Sequence, residues 1–274
     1  MNTQHLTAYR SRTWFTALTG GTRSLEGYPA SVLVADAPLH NERVRYLAVV
    51  PDPHNRFPRA RQGEVGIDEC LALASAVREA ITQDQDGNRR ALVALVGLPS
   101  QAYGRREELL GLHLACAAAT DAYASARLAG HPVIALIVGH AQSGGFLTHG
   151  YQANRLLALD DPDVSVHAMG KEAAARVTRR SIEEMENVAH QILPMAYAIR
   201  DYARLGLLDT LIEGVQPDHP EEADIRRVKE AIVTAIVDTR SGPRDLSRRW
   251  ISPAAQLGRA ASISVRERMS AQWR

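Results

Sequence analysis

The amino-acid sequence predicts an α/β protein whose sheet is largely parallel. Two continuous apolar runs of strand length, residues 91–98 and 133–138, are typical of strands buried on both faces. An alanine-rich stretch at residues 105–128, long enough for a crossover helix, lies between them. Because strands that alternate with helices usually pair in parallel, we expect both strands to end at the same edge of one sheet.

The other elements follow from periodicity and from residues that interrupt it. Apolar residues recur with helical spacing over residues 67–83, and Ser181 with Glu184 has the spacing of a capping box. The chain before residue 30 is polar and interrupted by glycines, which predicts an irregular lead-in, and residues 51–63 are a predicted loop. Further strands are predicted at 31–35, 44–50, 156–159 and 207–212, and further helices at 170–179, 181–192, 194–205 and 223–237.

The charge of the chain is balanced overall but uneven along its length. Lys and Arg number 32 and Asp and Glu number 31, so the composition argues against a nucleic-acid partner. From residue 240 onward, eight arginines stand against only Asp245 and Glu267. We therefore divide the chain into a domain at 1–240 and a basic C-terminal extension at 241–274.

Several classes of protein are disfavoured by what the sequence lacks. No apolar run approaches the roughly eighteen residues that a membrane span needs, and no leader-like segment is visible, so we expect a cytoplasmic protein. Cys70 and Cys116 lie in predicted helices without metal-type spacing, and we interpret them as core residues. We expect this chain to bind no metal and no redox cofactor itself.

Two turns follow the buried strands and are the candidate functional segments. Residues 99–104 follow the first strand, and the glycine-bearing residues 139–145 follow the second. Ligands of open α/β sheets bind at the carboxyl ends of the strands. Glycines allow a ligand to approach the backbone, and amides at a helix N-terminus are free to donate hydrogen bonds. Two such turns can form an oxyanion hole, although ordinary strand-to-helix turns would have the same composition.

Other chemistry at the second turn is less well supported. Ser143 could act as a nucleophile, but a nucleophile elbow needs glycine where Ala141 stands. The base would then be one of three histidines, His113, His140 or His149. The last two are nine residues apart, too far for one turn of helix to present both to a metal ion.

Four segments of the chain resemble carboxyltransferase subunits. Residues 133–150 resemble the pattern of a strand followed by G-x-x-x-S-G-G, and 99–104 resemble its P-G-x-x-P-G loop. Residues 168–176 (AMGKEAAAR) and 206–212 (GLLDTLI) resemble the M-G-x-E-x-A and G-x-x-D-x-I-I segments. The start at residues 14–21 (WFTALTGG) and the GHAQSGGF turn are most similar to the malonate decarboxylase gamma subunit family. Ser100 and Tyr103 depart from the loop pattern, which changes one wall of the usual acyl pocket.

The resemblance implies a fold, an activity and partners. The fold would be the crotonase-like spiral of ββα units, of the carboxyltransferase type. With a beta subunit, the chain would decarboxylate malonyl-S-acyl carrier protein to acetyl-S-acyl carrier protein through an oxyanion-stabilised enolate, without biotin. The carrier would bear a CoA-derived phosphopantetheine-type arm, and an alpha subunit would complete the assembly. The alternatives are a carboxyltransferase subunit of a biotin-dependent acyl-CoA carboxylase and a noncatalytic scaffold that completes a partner's site.

The resemblance also assigns roles to residues of the two turns. The catalytic groups would be the backbone amides of Gly144 and Gly145. The substrate-binding wall would comprise Gln101, Ala102, Tyr103, Gly104, Gln142 and Ser143. The proton for the carbanion would come from one of three candidates, Tyr103, His140 or His149. The basic extension could be a solvated or subunit-packing tail. It could instead dock the phosphate groups of the carrier arm, or an acidic carrier protein, through Arg244, Arg248, Arg249 and Arg259.

Overall fold

One seven-stranded sheet organises the chain, with strand order β1-β2-β3-β4-β5-β7 and β6 paired to the end of β4. The computed structural model describes residues 3–273. The strands are β1 Val32–Leu39, β2 Glu42–Val49, β3 Leu92–Leu98, β4 Val133–Gln142, β5 Arg155–Leu159, β6 Ser165–His167 and β7 Thr210–Ile212. The helices are α1 Thr3–Thr19, α2 Ile67–Gln83, α3 Arg105–Leu109, α4 Leu112–Ala129, α5 Ser143–Thr148, α6 Lys171–Thr178, α7 Ile182–Gln191, α8 Ile199–Arg204, α9 Glu222–Ser241, α10 Arg248–Ile251, α11 Pro253–Gly258 and α12 Ala260–Gln272.

The two apolar runs form adjacent parallel strands, as predicted. Every residue of β3 is buried, and its register with β4 runs from Leu92 opposite Val133 to Val96 opposite Ile137. Each fully buried large aliphatic side chain contributes roughly 1.5–3 kcal/mol to stability. A register shift then places Leu98 opposite Ala141, so the carboxyl ends of both strands remain paired. The antiparallel β1–β2 pair forms the edge of the sheet next to β3.

The prediction of an irregular N-terminal lead-in was wrong, because α1 is a helix buried against strands β3 and β4. Trp14 is fully buried, and its indole Nε1 donates a hydrogen bond to the Pro217 carbonyl over 2.9 Å. The guanidinium of the buried Arg10 donates hydrogen bonds to the carboxylates of Asp218 and Asp161, at 2.7 and 2.8 Å. Buried ion pairs allow polar residues to occupy the packed face of the helix, which obscures its periodicity in the sequence.

Two further predictions of elements need correction. The single helix predicted at 105–128 is two helices, because Gly111 adopts a left-handed conformation (φ 86°) between α3 and α4. The extension at 241–274, for which no helix was predicted, contains α10, α11 and α12. Gly206 packs directly on the backbone of Ala255 in α11, so the extension contacts the preceding fold. The Ser181–Glu184 capping box at α7 is confirmed.

Helix length and composition also bear on membrane insertion. Within residues 3–273, none of the helices combines the length and the apolar character that crossing a bilayer requires.

The burial of α1 predicts a large energetic cost for truncating its tryptophan. Trp14→Ala should lower the free energy of unfolding by roughly 3–5 kcal/mol, since it opens a cavity and leaves the Pro217 carbonyl without its donor. Urea unfolding followed by far-ultraviolet circular dichroism measures this loss. Tyr9→Ala, at the 52% exposed Tyr9 of the same helix, is the matched control and should cost less than about 1 kcal/mol. Equal losses in the two variants would contradict the packing described for α1.

Candidate active site

A cavity of about 600 Å³ opens at the carboxyl ends of β3 and β4, where the sequence predicted a site. Its first wall follows β3, its second spans the junction of β4 with α5, and its third belongs to α6 and the residues before it. The lining residues used below are Arg59, Glu64, Gln101, Tyr103, His140, Gln142, Ser143, Gly144, Glu172 and Arg176. The two predicted turns therefore meet at one cavity, as the parallel pairing of their strands requires.

The contact between the two turns is a hydrogen bond that links a backbone amide to a side-chain carbonyl. The Gly144 N–H donates to Gln101 Oε1 over 2.8 Å. Gly144 lies in the first turn of α5, where amides have no partner within the helix. A methyl carbon added at Gly144 would lie 3.1 Å from Gln101 Oε1 and Cδ. The Gly144 amide therefore donates to a carbonyl oxygen from outside the helix. Because Gly144 has no side chain, nothing larger than a hydrogen atom crowds that oxygen from the Gly144 Cα.

Backbone geometry on either side of Gly144 fixes its position. Ser143 has φ 56°, a left-handed conformation that turns the chain sharply from β4 into α5 and costs about 1–2 kcal/mol for a residue with a Cβ. Gly145 packs on the 99–104 segment, and a methyl carbon there would lie 2.7 Å from the Ser100 carbonyl oxygen. Any side chain at Gly145 would therefore push the two turns apart.

The structure does not place every predicted site residue in the wall of the cavity. Gln101, Tyr103, Gln142, Ser143 and Gly144 line it. The remaining three do not line it: Ala102 donates its N–H to the Val65 carbonyl, Gly104 precedes α3, and Gly145 packs on Ser100.

His140 is the histidine that lines the cavity. Its Nδ1 is 2.8 Å from the Ser165 hydroxyl, which also accepts a hydrogen bond from Gln142 Nε2 at 3.2 Å. The hydroxyl can accept from the amide and donate to Nδ1 at the same time, and in that arrangement the ring proton is on Nε2. Burial lowers the pKa of His140, so the imidazole is neutral at pH 7. Sequence reasoning missed Ser165, which the short strand β6 brings alongside His140.

The other histidine candidates lie elsewhere. His149 is fully buried in the core, where its Nε2 contacts the Leu95 carbonyl at 3.1 Å and its Nδ1 contacts the Tyr123 hydroxyl at 2.8 Å. Burial lowers the pKa of His149 to about 4. His113 is exposed on α4. Among the described residues, no histidine hydrogen-bonds the Ser143 side chain, so the arrangement gives no support to a serine nucleophile.

Charged side chains at the cavity were also missed by sequence reasoning. Arg59 holds Glu64 through two hydrogen bonds of 2.6 Å, and its guanidinium lies 4.2 Å from the centre of the Tyr103 ring. Burial raises the pKa of Glu64, and the Arg59 guanidinium opposes that shift. Arg176 extends from α6 at the opposite wall. The spacing of Arg59 and Glu64 within a proline-bearing loop carries no signal that could have identified them.

Comparison with known proteins decides the family. A sequence model of the malonate decarboxylase gamma subunit, MdcE, matches residues 60–273. The chain belongs to this family. Family membership confirms the resemblance drawn from the four segments.

Solved structures from Pseudomonas agree with this assignment. A malonate decarboxylase hetero-tetramer in complex with coenzyme A contains a chain 54% identical, with TM-score 0.91, covering 96% of this chain and 99% of that one. The MdcD–MdcE hetero-dimer contains a chain 52% identical, with TM-score 0.88, covering 97% and 100%.

More distant similarities concern the carboxyltransferases. The malonyl-S-ACP:biotin-protein carboxyltransferase MADD of Malonomonas rubra is 30% identical over 199 residues, which are 71% of this chain and 64% of that relative. The chain thus spans somewhat less than two thirds of the length of that curated relative. The transcarboxylase 12S core is 21% identical with TM-score 0.63, covering 85% of this chain and 40% of that one. The carboxyltransferase-type crotonase fold expected from the sequence is confirmed.

Two of the four segments that resemble carboxyltransferase subunits make contacts that explain their positions. In the segment 168–176, Gly170, Glu172 and Arg176 line the cavity. In the segment 206–212, Asp209 accepts a hydrogen bond from the Leu156 N–H at 3.0 Å and so ties the start of β7 to β5. Burial raises the pKa of Asp209. The first segment therefore shapes the site, and the second holds the sheet together.

The four arginines named for the tail make hydrogen bonds or ion pairs within this chain. Arg244, Arg249 and Arg259 donate to the main-chain carbonyls of Leu128, Ala153 and Leu205 respectively, at 3.1, 2.6 and 2.9 Å. Arg248 pairs with Asp238 at 2.7 Å. Carbonyls at helix ends and in loops lack partners of their own, so these guanidinium groups attach the extension to the fold. Contact with another subunit and docking of a carrier both stay predictions.

The buried His149 predicts acid sensitivity of the fold. Its folded pKa is below the ordinary value, so the unfolded chain takes up the proton first and stability falls as the pH drops below about 6.5. Between pH 7 and pH 5 this one group should remove roughly 2 kcal/mol from the free energy of unfolding. Urea unfolding of His149→Gln should show a weaker loss between those pH values than the native sequence. His113→Gln, at an exposed position, should keep the native slope, and an unchanged slope in His149→Gln would contradict the prediction.

Proposed function

We propose that this chain forms, with a beta subunit, the site that decarboxylates malonyl-S-acyl carrier protein to acetyl-S-acyl carrier protein. The substrate is a malonyl thioester on a CoA-derived phosphopantetheine-type arm. Family membership and the malonyl-S-ACP chemistry in the name of the MADD relative support this choice. The acyl carrier protein and an alpha subunit belong to the same proposal.

The observation that carries the proposal is the Gly144 amide. It holds Gln101 Oε1, an amide carbonyl oxygen, at 2.8 Å inside a cavity of about 600 Å³. Chemically, that oxygen stands in for the thioester oxygen of a substrate. The Gly144 N–H therefore has the distance and direction of an oxyanion-hole donor, and Gln101 must yield its place for a substrate to use it.

The chemistry needs the donor most when carbon dioxide leaves. Cleavage of the bond between the carboxylate carbon and the methylene carbon releases carbon dioxide and leaves the electron pair on the thioester as an enolate. The negative charge resides mainly on the thioester oxygen, where the Gly144 amide can stabilise it more strongly than the neutral ground state. A proton then adds to carbon and gives the acetyl thioester.

In this proposal, neutral His140 donates a hydrogen bond to the enolate. It does not act as an imidazolium acid. Its pKa is lowered by burial, and Ser165 orients the ring from the Nδ1 side. A neutral imidazole with its proton on Nε2 can donate a hydrogen bond to an anion in the cavity. His149 has no such role in this proposal, because the core occupies both of its nitrogens.

The beta subunit would dock on a face of exposed leucines beside the cavity. This leucine face consists of Leu109 at the end of α3, Leu110 directly after it, Leu114 in α4 and Leu147 in α5, whose exposed fractions lie between 52% and 80%. Helices α3 and α5 both contact α4. Exposed large apolar side chains in such a group are typical of a subunit interface. Since α5 also carries Gly144, a partner on this face would lie next to the cavity.

Two alternatives remain for the experiment to exclude. The MADD relative transfers a carboxyl group to a biotin protein, according to its name, and a biotin-dependent carboxyltransferase is therefore the second candidate. A noncatalytic scaffold is the third. Membership in the decarboxylase family favours neither of them.

The decisive assay combines the chain with its beta subunit. We expect the pair to release carbon dioxide from malonyl-carrier protein, and we would compare malonyl-CoA as substrate, with and without biotin added. A biotin requirement would reject the decarboxylase in favour of carboxyl transfer.

The amide of Gly144 yields a kinetic prediction. Gly144→Ala should lower kcat of the assembled complex by roughly 10²–10³-fold, because the added methyl carbon occupies the space in front of the oxyanion donor. Steady-state release of carbon dioxide measures the loss. Gly87→Ala is the control, since a methyl carbon there meets no atom within 4 Å. Native turnover in Gly144→Ala would favour the scaffold alternative.

The leucine face yields a binding prediction. Leu114→Glu should weaken binding to the beta subunit at least about tenfold, because a carboxylate would be buried in the interface without a partner. Isothermal titration with the purified beta subunit measures the Kd. Leu257→Glu introduces the same charge at an 87% exposed leucine of α11 and should leave the Kd unchanged. Equal weakening by both variants would place the interface elsewhere.

A further inference from the structure

The two cysteines of the chain meet although 46 residues separate them. Cys70 lies in α2 and Cys116 in α4, and their Sγ atoms are 3.6 Å apart without a covalent bond. The two helices contact each other, and both bury small residues, including Ala74 of α2 and Ala119 of α4. The sequence contains no other cysteine. The interpretation of both residues as core fillers accounts for their burial but not for their contact.

The environments of the two thiols differ in a way that gives them different chemistry. Cys70 is buried, whereas Cys116 is only partly buried. The two sulfurs are within hydrogen-bond distance, with either thiol able to donate, and this contact lowers the pKa of Cys116 to about 7. Partial burial and the nearby Glu108 act in the opposite direction, and the Thr148 hydroxyl assists the lowering. The same contact raises the pKa of Cys70, together with burial and Glu69.

Formation of a disulfide by peroxide needs two thiols with different roles, and Cys116 and Cys70 have the environments for these roles. The partly exposed thiol with the larger thiolate fraction reacts first with an oxidant, since the thiolate is the nucleophile. The second thiol must lie within reach of the first sulfur to displace the product. The two sulfurs must close from 3.6 Å to a disulfide bond length of about 2.05 Å for the bond to form.

We propose that Cys116 is a peroxide-reactive thiol and that Cys70 is its resolving partner, so that oxidation joins α2 to α4 through a disulfide. In the first step the Cys116 thiolate attacks one oxygen of hydrogen peroxide and the O–O bond breaks. Hydroxide is the leaving group, and Cys116 becomes a sulfenic acid. In the second step the Cys70 sulfur attacks the Cys116 sulfur, the S–O bond breaks, and water leaves. The sulfur pair is oxidised by two electrons, and the peroxide is reduced to water.

The modification would lie directly behind the candidate active site. Thr148, in the last position of α5, donates its hydroxyl to the Gly144 carbonyl at 2.6 Å and also faces Cys116. A hydroxyl has one proton, so the Cys116 thiolate and the Gly144 carbonyl compete for it. Oxidation of Cys116 removes that competitor.

The test uses the full chain, purified in reduced form and treated with hydrogen peroxide at pH 7. We expect intact mass to show the loss of two hydrogens, peptide mapping to link Cys70 with Cys116, and dithiothreitol to reverse both. In Cys70→Ser the reaction should stop at a sulfenic acid on Cys116 that dimedone traps. In Cys116→Ser, Cys70 should react at least about tenfold more slowly than Cys116 does in the native sequence. Circular dichroism verifies that both serine variants are folded.

Two further measurements make the outcome decisive. The rate of the first step should rise with pH around a midpoint near 7, whereas in guanidinium-unfolded chain it should rise only around the ordinary thiol pKa of about 8.5. Equal peroxide reactivity in the two serine variants would overturn the proposal. So would a disulfide that forms only between chains, or a native rate without a rise near pH 7.

Discussion

The parallel pairing of β3 with β4 is the constraint on which the rest of the structure depends. It places the carboxyl ends of both strands at one edge, and therefore brings Gln101 and Gly144 within 2.8 Å although 43 residues separate them. The left-handed Ser143 and the close packing of Gly145 on Ser100 then leave little freedom for the direction of the Gly144 amide. The cavity, its candidate donor and the orientation of α5 are consequences of one strand pairing.

The sequence predicted the parts of the molecule whose physics is local. Residues 91–98 and 133–138 are apolar without interruption, and a run of that length is typical of a strand buried on both faces. The turns after them carry glycines whose effect on the backbone is independent of the rest of the fold. For this reason the location of the candidate site, and most of its lining at the β3 and β4 ends, could be predicted from the residues and the resemblance.

What the sequence did not reveal depends on contacts between distant residues. In the sequence, Arg10 has the character of a surface residue. In the structure it is buried and paired with Asp161 and Asp218, and for this reason the helix that carries it was not predicted. The sequence made His149 a candidate proton donor. In the structure, its two ring nitrogens contact the Tyr123 hydroxyl and the Leu95 carbonyl. Ser165 could not have been assigned to the site, because only the pairing of β6 with the end of β4 brings it to His140.

One measurement tests the central claim, that the Gly144 amide stabilises an enolate, without involving release of carbon dioxide. Acetyl-carrier protein is incubated with the complex of this chain and its beta subunit in deuterium oxide, and deuterium in the acetyl methyl group is followed by mass spectrometry. If the site stabilises the enolate, the complex will catalyse this exchange, and Gly144→Ala will slow exchange and decarboxylation in the same proportion. Exchange at the native rate in Gly144→Ala, alongside impaired decarboxylation, would contradict the account.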